Sequence, residues 1–483
     1  MRYAVPVNGA NEVEALAAAG ADELYCGVLE PWWERRYGNH DSSSRRQGKA
    51  NLSSRGELRD VVHAADAYGL AVFLALNARY SEPQLDYLVG LCEAFEGYGG
   101  RGVIVSDLGL LWRLRGNTSL RVTLSLLAVA QNVPTIQAFA DLGVSRVVLP
   151  RFVDWREAGT LLHPCGGMEA EAMAFFDKCP WVDGYCRHPH LVSFPEVRGN
   201  VTAHDEPLLT FDTTYRTHAC LGGACSYVEP YPCAACFLER FEHAGVGVAK
   251  LGGRGRPLAE RVRALSFLRA AKACASDDQR ARLYRRTFGQ QCACYYGEHT
   301  QRRDAIEPTH AQSASDERTY VGSETSVSAF REALAKLMDG PRAEGPLTIL
   351  VPPLSQRSLE FLARSIEGLD VVIPEGTHLC VNDLGTLVTL ARLLRDAPSH
   401  MVLRLGTLLA RGEDPRVVAH FLSPEQNPPR LVTDEEGRVR ALTYAPPPDE
   451  LTTHWRSWST CEPSAMRAVA ELTGIATVER EFP

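Results

Sequence analysis

GVIVSDLGLLWRLRGNTSLRVTLSLLAVAQNVPTIQAFADLGVSRVVLP, residues 102–150, decides the fold. Its three short β-branched runs, 102–106, 121–125 and 145–150, are nearly continuous in apolar residues, and segments of helical period such as VPTIQAFADLG separate them. That alternation belongs to parallel strands buried on both faces and connected through helices. The same rhythm extends outward to 3–7, 22–28 and 71–77 on one side and to 171–176 and 246–251 on the other. Eight strand–helix units in about 270 residues predict an α/β fold of the (β/α)8 TIM-barrel type rather than an open sheet.

Beyond the barrel, taken as residues 1–296, the stretch 297–325 is polar and has no apolar stripe, so it reads as a linker. Strand candidates return at 346–353, 369–374, 378–383 and 401–406, which predicts a smaller α/β domain over 326–483. VSDLGLL at 105–111 is echoed by VNDLGTL at 381–387, so this domain resembles a diverged half-barrel; the alternative is an unrelated α/β piece sharing one turn.

The chain has 483 residues, 45% of them hydrophobic and 23% charged, with a net charge of -8. Such a balance gives no overall attraction to nucleic-acid backbones or acidic membranes. RNA is therefore disfavoured as a partner, although the basic run 254–272 would be the place for it; no membrane partner is expected. No stretch of about 18 apolar residues occurs, and the first twenty residues lack the pattern of a signal peptide, so a cytoplasmic location is expected.

Fourteen cysteines in such a chain are not a secreted disulfide framework. Cys92, Cys274 and Cys461 fall in helix-like stretches and read as small core residues. Cys179, Cys186, Cys220, Cys225, Cys233 and Cys236 instead crowd an insertion that leaves the barrel after the seventh strand, from 177 to 236. In a barrel of this type chemistry gathers on the loops after the strands. Soft thiolates there fit an iron–sulfur cluster or zinc; the spacing is irregular, which a cubane tolerates better than paired zinc knuckles do, and unmetallated thiols remain the third possibility.

Taken in order, GADELYCGV, ANLSSRGELRDVVHAADAYGLAVFLALN, GVIVSDLGLL, RVTLSLLAVAQN, LGVSRVVLPR, Cys179-x6-Cys186 and Cys233 followed by HAGVGVAKLGGRG resemble the U32 family, named for collagenase-like peptidases. The resemblance covers roughly 3–272. It implies a [4Fe-4S] cluster and hydroxylation without O2 of an aromatic or delocalised substrate. Its ligand positions match Cys179, Cys186 and Cys233, with Cys220 favoured as the fourth and Cys225, Cys236 or Cys26 in reserve. Two departures stand out: Phe175-Phe176 replaces a His-Gly pair following Glu171, and Gly252 replaces the Glu of a run in which Lys250 and Arg254 are kept.

At the strand ends, Asn77, Asp107, Lys250 and Arg254 are the candidate catalytic residues; the two cations suit an anionic group of a small-molecule or peptide substrate. Asn77 and Asp107 also have a capping role open to them. Gln131 and Asn132 are candidates for amide contacts, His188, His190 and His218 for acid–base work or metal ligation, and Cys292 and Cys294, after the barrel, either cover the cluster or are surface thiols. Two other functions compete with an iron–sulfur oxidoreductase: a peptidase or peptide-modifying enzyme, and a non-catalytic metal-binding partner subunit. No H-E-x-x-H or G-x-S-x-G supports the first. Oligomeric state is not legible.

Overall fold

The computed structural model describes residues 1–37, 43–44, 46, 50–78, 80–177, 231–289 and 294–296. Of the C-terminal part it describes 348–351, 356, 359–360, 378–381, 384–393, 402–405, 430–433, 439–443 and 463–473. Eight strands close a parallel barrel in sequential order: β1 Arg2–Pro6, β2 Glu23–Cys26, β3 Ala71–Leu76, β4 Gly102–Val105, β5 Arg121–Leu124, β6 Val144–Val148, β7 Glu169–Phe175 and β8 Val248–Leu251. β8 pairs back onto β1, Tyr3 opposite Ala249. All eight lie where the apolar runs predicted them, within two residues at either end.

The intervening helices are α1 Val13–Ala18, α2 Pro31–Tyr37, α3 Arg55–Asp66, α4 Glu82–Gly97, α5 Leu108–Leu114, α6 Val133–Asp141, α7 Trp155–Leu162, α8 Leu238–His243, α9 Leu258–Lys272 and α10 Asp277–Phe288. Their starts are written in the sequence. Ser54 accepts the backbone N–H of Glu57 at α3, Ser81 and Gln84 form a capping box at α4, and Asp154 and Glu157 form one at α7.

The chain divides into two compact units, 1–129 with 143–301, and 130–142 with 302–483. In the second, β9 Thr348–Val351, β10 His378–Val381 and β11 Val402–Leu405 form a parallel sheet of order β11-β10-β9. The helix α11 Leu384–Leu393 starts three residues after β10 ends, as α5 does after β4. β12 Arg430–Thr433 and β13 Val439–Thr443 pair antiparallel, a hairpin that periodicity did not predict, and α12 covers Pro463–Thr473. Within this unit the backbone N–H of Gly385 donates to Thr135 Oγ1 at 2.9 Å, and that of Val133 to Gln356 Oε1 at 2.9 Å. The expected linker and the 369–374 strand lie outside the described residues.

Candidate active site at the barrel mouth

Inward positions of such barrels ordinarily carry branched apolar residues. Here Tyr25, Phe73 and Ile104 form the apolar centre, and charged side chains surround it. Arg146 of β6, 2% exposed, stacks 4.8 Å from the Phe73 ring centre. It donates to both carboxylate oxygens of Glu23 on β2, at 2.6 and 2.9 Å, and to Glu169 on β7 at 2.5 Å. Arg2 and Arg121 join the same carboxylates from the strand starts. Burial opposes the charge on Arg146, but Glu23 and Glu171 overcome it and hold its pKa above the ordinary value.

Two residues along β7, Glu171 lies 3.5 Å from Arg146 and 2.5 Å from Lys250 Nζ on β8. The Lys250 ammonium also stands 4.3 Å from the Tyr25 ring centre. Burial dominates, and its pKa falls below the ordinary lysine value. Lys250 is thus a cation already matched by a carboxylate.

Arg254 is not. It is 7% exposed, its Nη2 donates to the Ser44 carbonyl at 2.8 Å, and its Nη1 is buried without a hydrogen bond. Among the described residues no carboxylate pairs with it. Burial, then the neighbouring charge of Arg46, lowers its pKa to about 10, so it stays charged at neutral pH. With Lys250, Tyr25, Asn77 and Ser125 it lines a pocket of about 40 Å³ at the strand ends, room for roughly three water molecules. Asn77 donates to Ser125 Oγ at 3.3 Å, and its Oδ1 is buried and unpartnered. The pocket therefore offers one strong donor and one acceptor, and is the size of a single functional group.

Asp107, expected at the mouth, does a different job. It is the N-cap of α5, accepting the Leu110 N–H at 2.9 Å and the Tyr80 N–H at 3.3 Å. Asn132 likewise caps α6 through the Thr135 N–H, while Gln131 Nε2 is buried without a partner.

Sequence reading missed Asp177 as a site residue. Its Oδ2 accepts the Gly253 N–H at 2.6 Å and Arg46 Nη2 at 3.1 Å; its Oδ1 is buried and unpartnered. Burial alone would raise its pKa, but Arg46, Arg256 and the Gly253 N–H overcome that and hold it below the ordinary carboxylate value. The available signal was its place, directly after the strand carrying Glu171.

Of the cysteines, Cys233 is buried and bridges Phe175 on one side and Cys294 on the other. Its Sγ accepts the Ala235 N–H at 3.3 Å. Cys236 and Cys294 are half-buried. Cys26 is buried and its thiol is pushed up to about 12 by desolvation. Cys92 is buried as expected, whereas Cys274 is half-buried at the end of α9. No disulfide joins any two described cysteines. Cys179, Cys186, Cys220 and Cys225, like His188, His190, His218, Cys292 and Cys461, lie outside the described residues. Among the described residues no three His, Cys, Asp or Glu side chains gather into a metal site.

Residues 8–293 match the family model for peptidase family U32. The chain belongs to that family. No curated protein matches it. Among solved structures, a U32 peptidase aligns at 15% identity and TM-score 0.36, covering 53% of this chain and 94% of its own. A mandelate oxidase with (S)-2-phenylpropionate aligns at 11% identity and TM-score 0.30, covering 62% and 77%. Family membership rests on the U32 match.

Against the U32 pattern, both departures acquire a structural sense. Phe176, where the family pattern has a glycine, adopts the left-handed backbone at φ 59°, and Asp177 follows at φ 51°. Phe175 packs against Phe267, Tyr284 and Phe288, with ring centres 6.0, 6.4 and 5.4 Å away, in an aromatic cluster. At Gly252, a Cβ would lie 2.7 Å from Asp177 Oδ2. A carboxylate is present at this corner; β7 delivers it instead of β8.

Proposed function

We propose that this U32 chain is an iron–sulfur enzyme carrying out an O2-independent oxidation, hydroxylation in the first instance, of an aromatic or delocalised substrate that bears an anionic group. The observation that carries the substrate class is Arg254: a buried guanidinium that no carboxylate pairs among the described residues, its Nη1 without a hydrogen bond, beside a pocket sized for one group. A buried unpaired cation is costly, and a bound anion relieves it. A carboxylate there would take the Nη1 proton of Arg254, while Asn77 Oδ1 would accept from a neighbouring hydroxyl. Lys250 is held by Glu171 and would contribute field more than a direct bond.

The cofactor proposed is a [4Fe-4S] cluster on Cys179, Cys186, Cys220 and Cys233, with zinc as the alternative. Cys233 fits it in chemistry: a soft, buried sulfur already accepting a backbone N–H, the kind of bond that favours the thiolate. When bound, the cluster would supply the redox or Lewis-acid chemistry that protein side chains lack.

Anaerobic purification with iron, sulfide and zinc analysis tests the cofactor. Thermal shift with benzoate tests the anion socket: stabilisation is expected in the native chain and not in Arg254→Gln. Incubation of the loaded protein with candidate aromatic acids should give products heavier by one oxygen. Peptide fragments of defined mass from added peptides would favour the peptidase alternative instead.

A further inference from the structure

We infer that Lys250 is a covalent carbonyl trap, its amine condensing with the keto carbon of a 2-oxo acid whose carboxylate sits on Arg254. This rests on the Arg254 socket of the reading above and is independent of the cofactor.

Composition first singles the residue out. Of the 51 lysine and arginine residues in the sequence only five are lysine, so arginine is this chain's ordinary cation. Among the described residues every other buried cationic side chain is an arginine, and Glu171 already has Arg146 at 3.5 Å. A lysine adds what a guanidinium lacks, a nitrogen able to lose a proton and attack carbon. Its place suits that use. Lys250 lies near the C-terminal end of β8, where barrels of this type carry their chemistry. It lines the same pocket as Arg254, with apolar walls from Ile104, Leu126 and Val148. Burial, opposed by Glu171 and aided by Arg146 and Arg254, lowers its pKa and favours the neutral amine.

The pocket's size sets the substrate class. Within about 40 Å³, the carbonyl that Lys250 reaches must adjoin the carboxylate that Arg254 holds, which is the pattern of a 2-oxo acid. Such a head presents three oxygens to a space for roughly three waters. Glu171 Oε1, 2.5 Å from Nζ, takes one ammonium proton. The freed lone pair forms the C–N bond as the carbonyl π pair moves to oxygen, which takes the proton back from Glu171. A second N–H proton follows by the same carboxylate, the oxygen leaves as water, and the nitrogen lone pair closes the C=N bond. Two of the ammonium's three protons thus depart with the carbonyl oxygen, and nothing is oxidised or reduced. The iminium keeps the single positive charge facing Glu171, so the buried ion pair survives the reaction.

The test incubates full-length protein, purified anaerobically, with pyruvate and cyanoborohydride at pH 7; hydride from the reagent reduces the iminium to a stable amine, and peptides are mapped by mass. The Lys250 peptide should gain the mass of pyruvic acid less one oxygen atom, while the exposed Lys272 gains none. The label should be lost in Lys250→Met and in Arg254→Gln. In urea-unfolded native chain the preference for Lys250 over Lys272 should vanish, which decides the matter should either variant fail to fold. An unlabelled Lys250, equal labelling of Lys250 and Lys272 in the folded chain, or an undiminished label in Arg254→Gln, in a protein that benzoate still stabilises, would overturn the inference alone. A native chain that benzoate does not stabilise would overturn the socket beneath it as well.

Discussion

Asp177 occupies the space into which any side chain on Gly252 would have to project, its Oδ2 lying 2.7 Å from where a Cβ would stand. The two positions are therefore one decision. Gly252→Ala should destabilise the protein by about 1–3 kcal/mol through overpacking. Asp177→Ala should destabilise it too, by leaving the buried Arg46 guanidinium without its carboxylate. Added together in one chain, the two should cost less than their sum, with a coupling of about 0.5–3 kcal/mol. Urea unfolding of the four proteins measures it, and strict additivity would refute the shared space.

Asp177 also sets an acid limit. Its folded pKa lies below the ordinary value of 3.8, so the native state binds fewer protons than the unfolded one. Its stabilising contribution is complete above that ordinary value and is lost as pH falls through the folded value. Melting temperatures followed downward from pH 7 should drop less steeply in Asp177→Asn than in the native chain. Parallel curves would show that the acid sensitivity lies elsewhere.

Glu171 is the hinge between the structural charges and the mouth, since it touches both Arg146 and Lys250. Glu171→Gln leaves the buried Lys250 ammonium without its carboxylate, while Arg146 keeps Glu23 and Glu169, and should cost about 3–5 kcal/mol, as broken buried pairs do. Adding Lys250→Met should recover a large part of it. If the double variant is no more stable than the single one by denaturant midpoint, the pair is not the dominant contact of either residue.

Cys26, fully buried with its thiol raised to about 12, should stay unalkylated by iodoacetamide at pH 8 in the folded protein and react once it is unfolded, because the thiolate is the reactive form. Peptide mass mapping decides it. Rapid native labelling would put Cys26 at the surface and back in contention as a ligand.

In the second unit, Gly385 allows close approach: a Cβ there would lie 2.1 Å from Asn132 Oδ1 and 2.3 Å from the Thr135 nitrogen. Gly385→Ala should therefore destabilise the chain despite alanine's better helix propensity. A gain in melting temperature would contradict the packing of α6 on α11.

The barrel was legible because each strand is an apolar run between helical periods, a pattern local to about ten residues. Strand ends then pointed to Asn77, Lys250 and Arg254 at the mouth. What stayed hidden is set by distance along the chain. That Lys250 is neutralised and Arg254 is not depends on Glu171, 79 residues from the lysine. That a carboxylate stands at the Gly252 corner depends on Asp177, two residues past the end of β7 and 75 residues away in sequence. The hairpin of β12 and β13 escaped because its short strands flank TDEEG, polar enough to pass for loop, and because the apolar pattern searched for was that of buried parallel strands.

The insertion after β7 leaves and returns at one point. The Phe176 N–H donates to the Pro232 carbonyl at 3.1 Å, and Phe175 bridges Cys233. The neck of the insertion is thus fixed by the scaffold itself. Because loop closure grows only slowly more costly with length, the content of the insertion can be rewritten by evolution or by design without the scaffold registering the exchange.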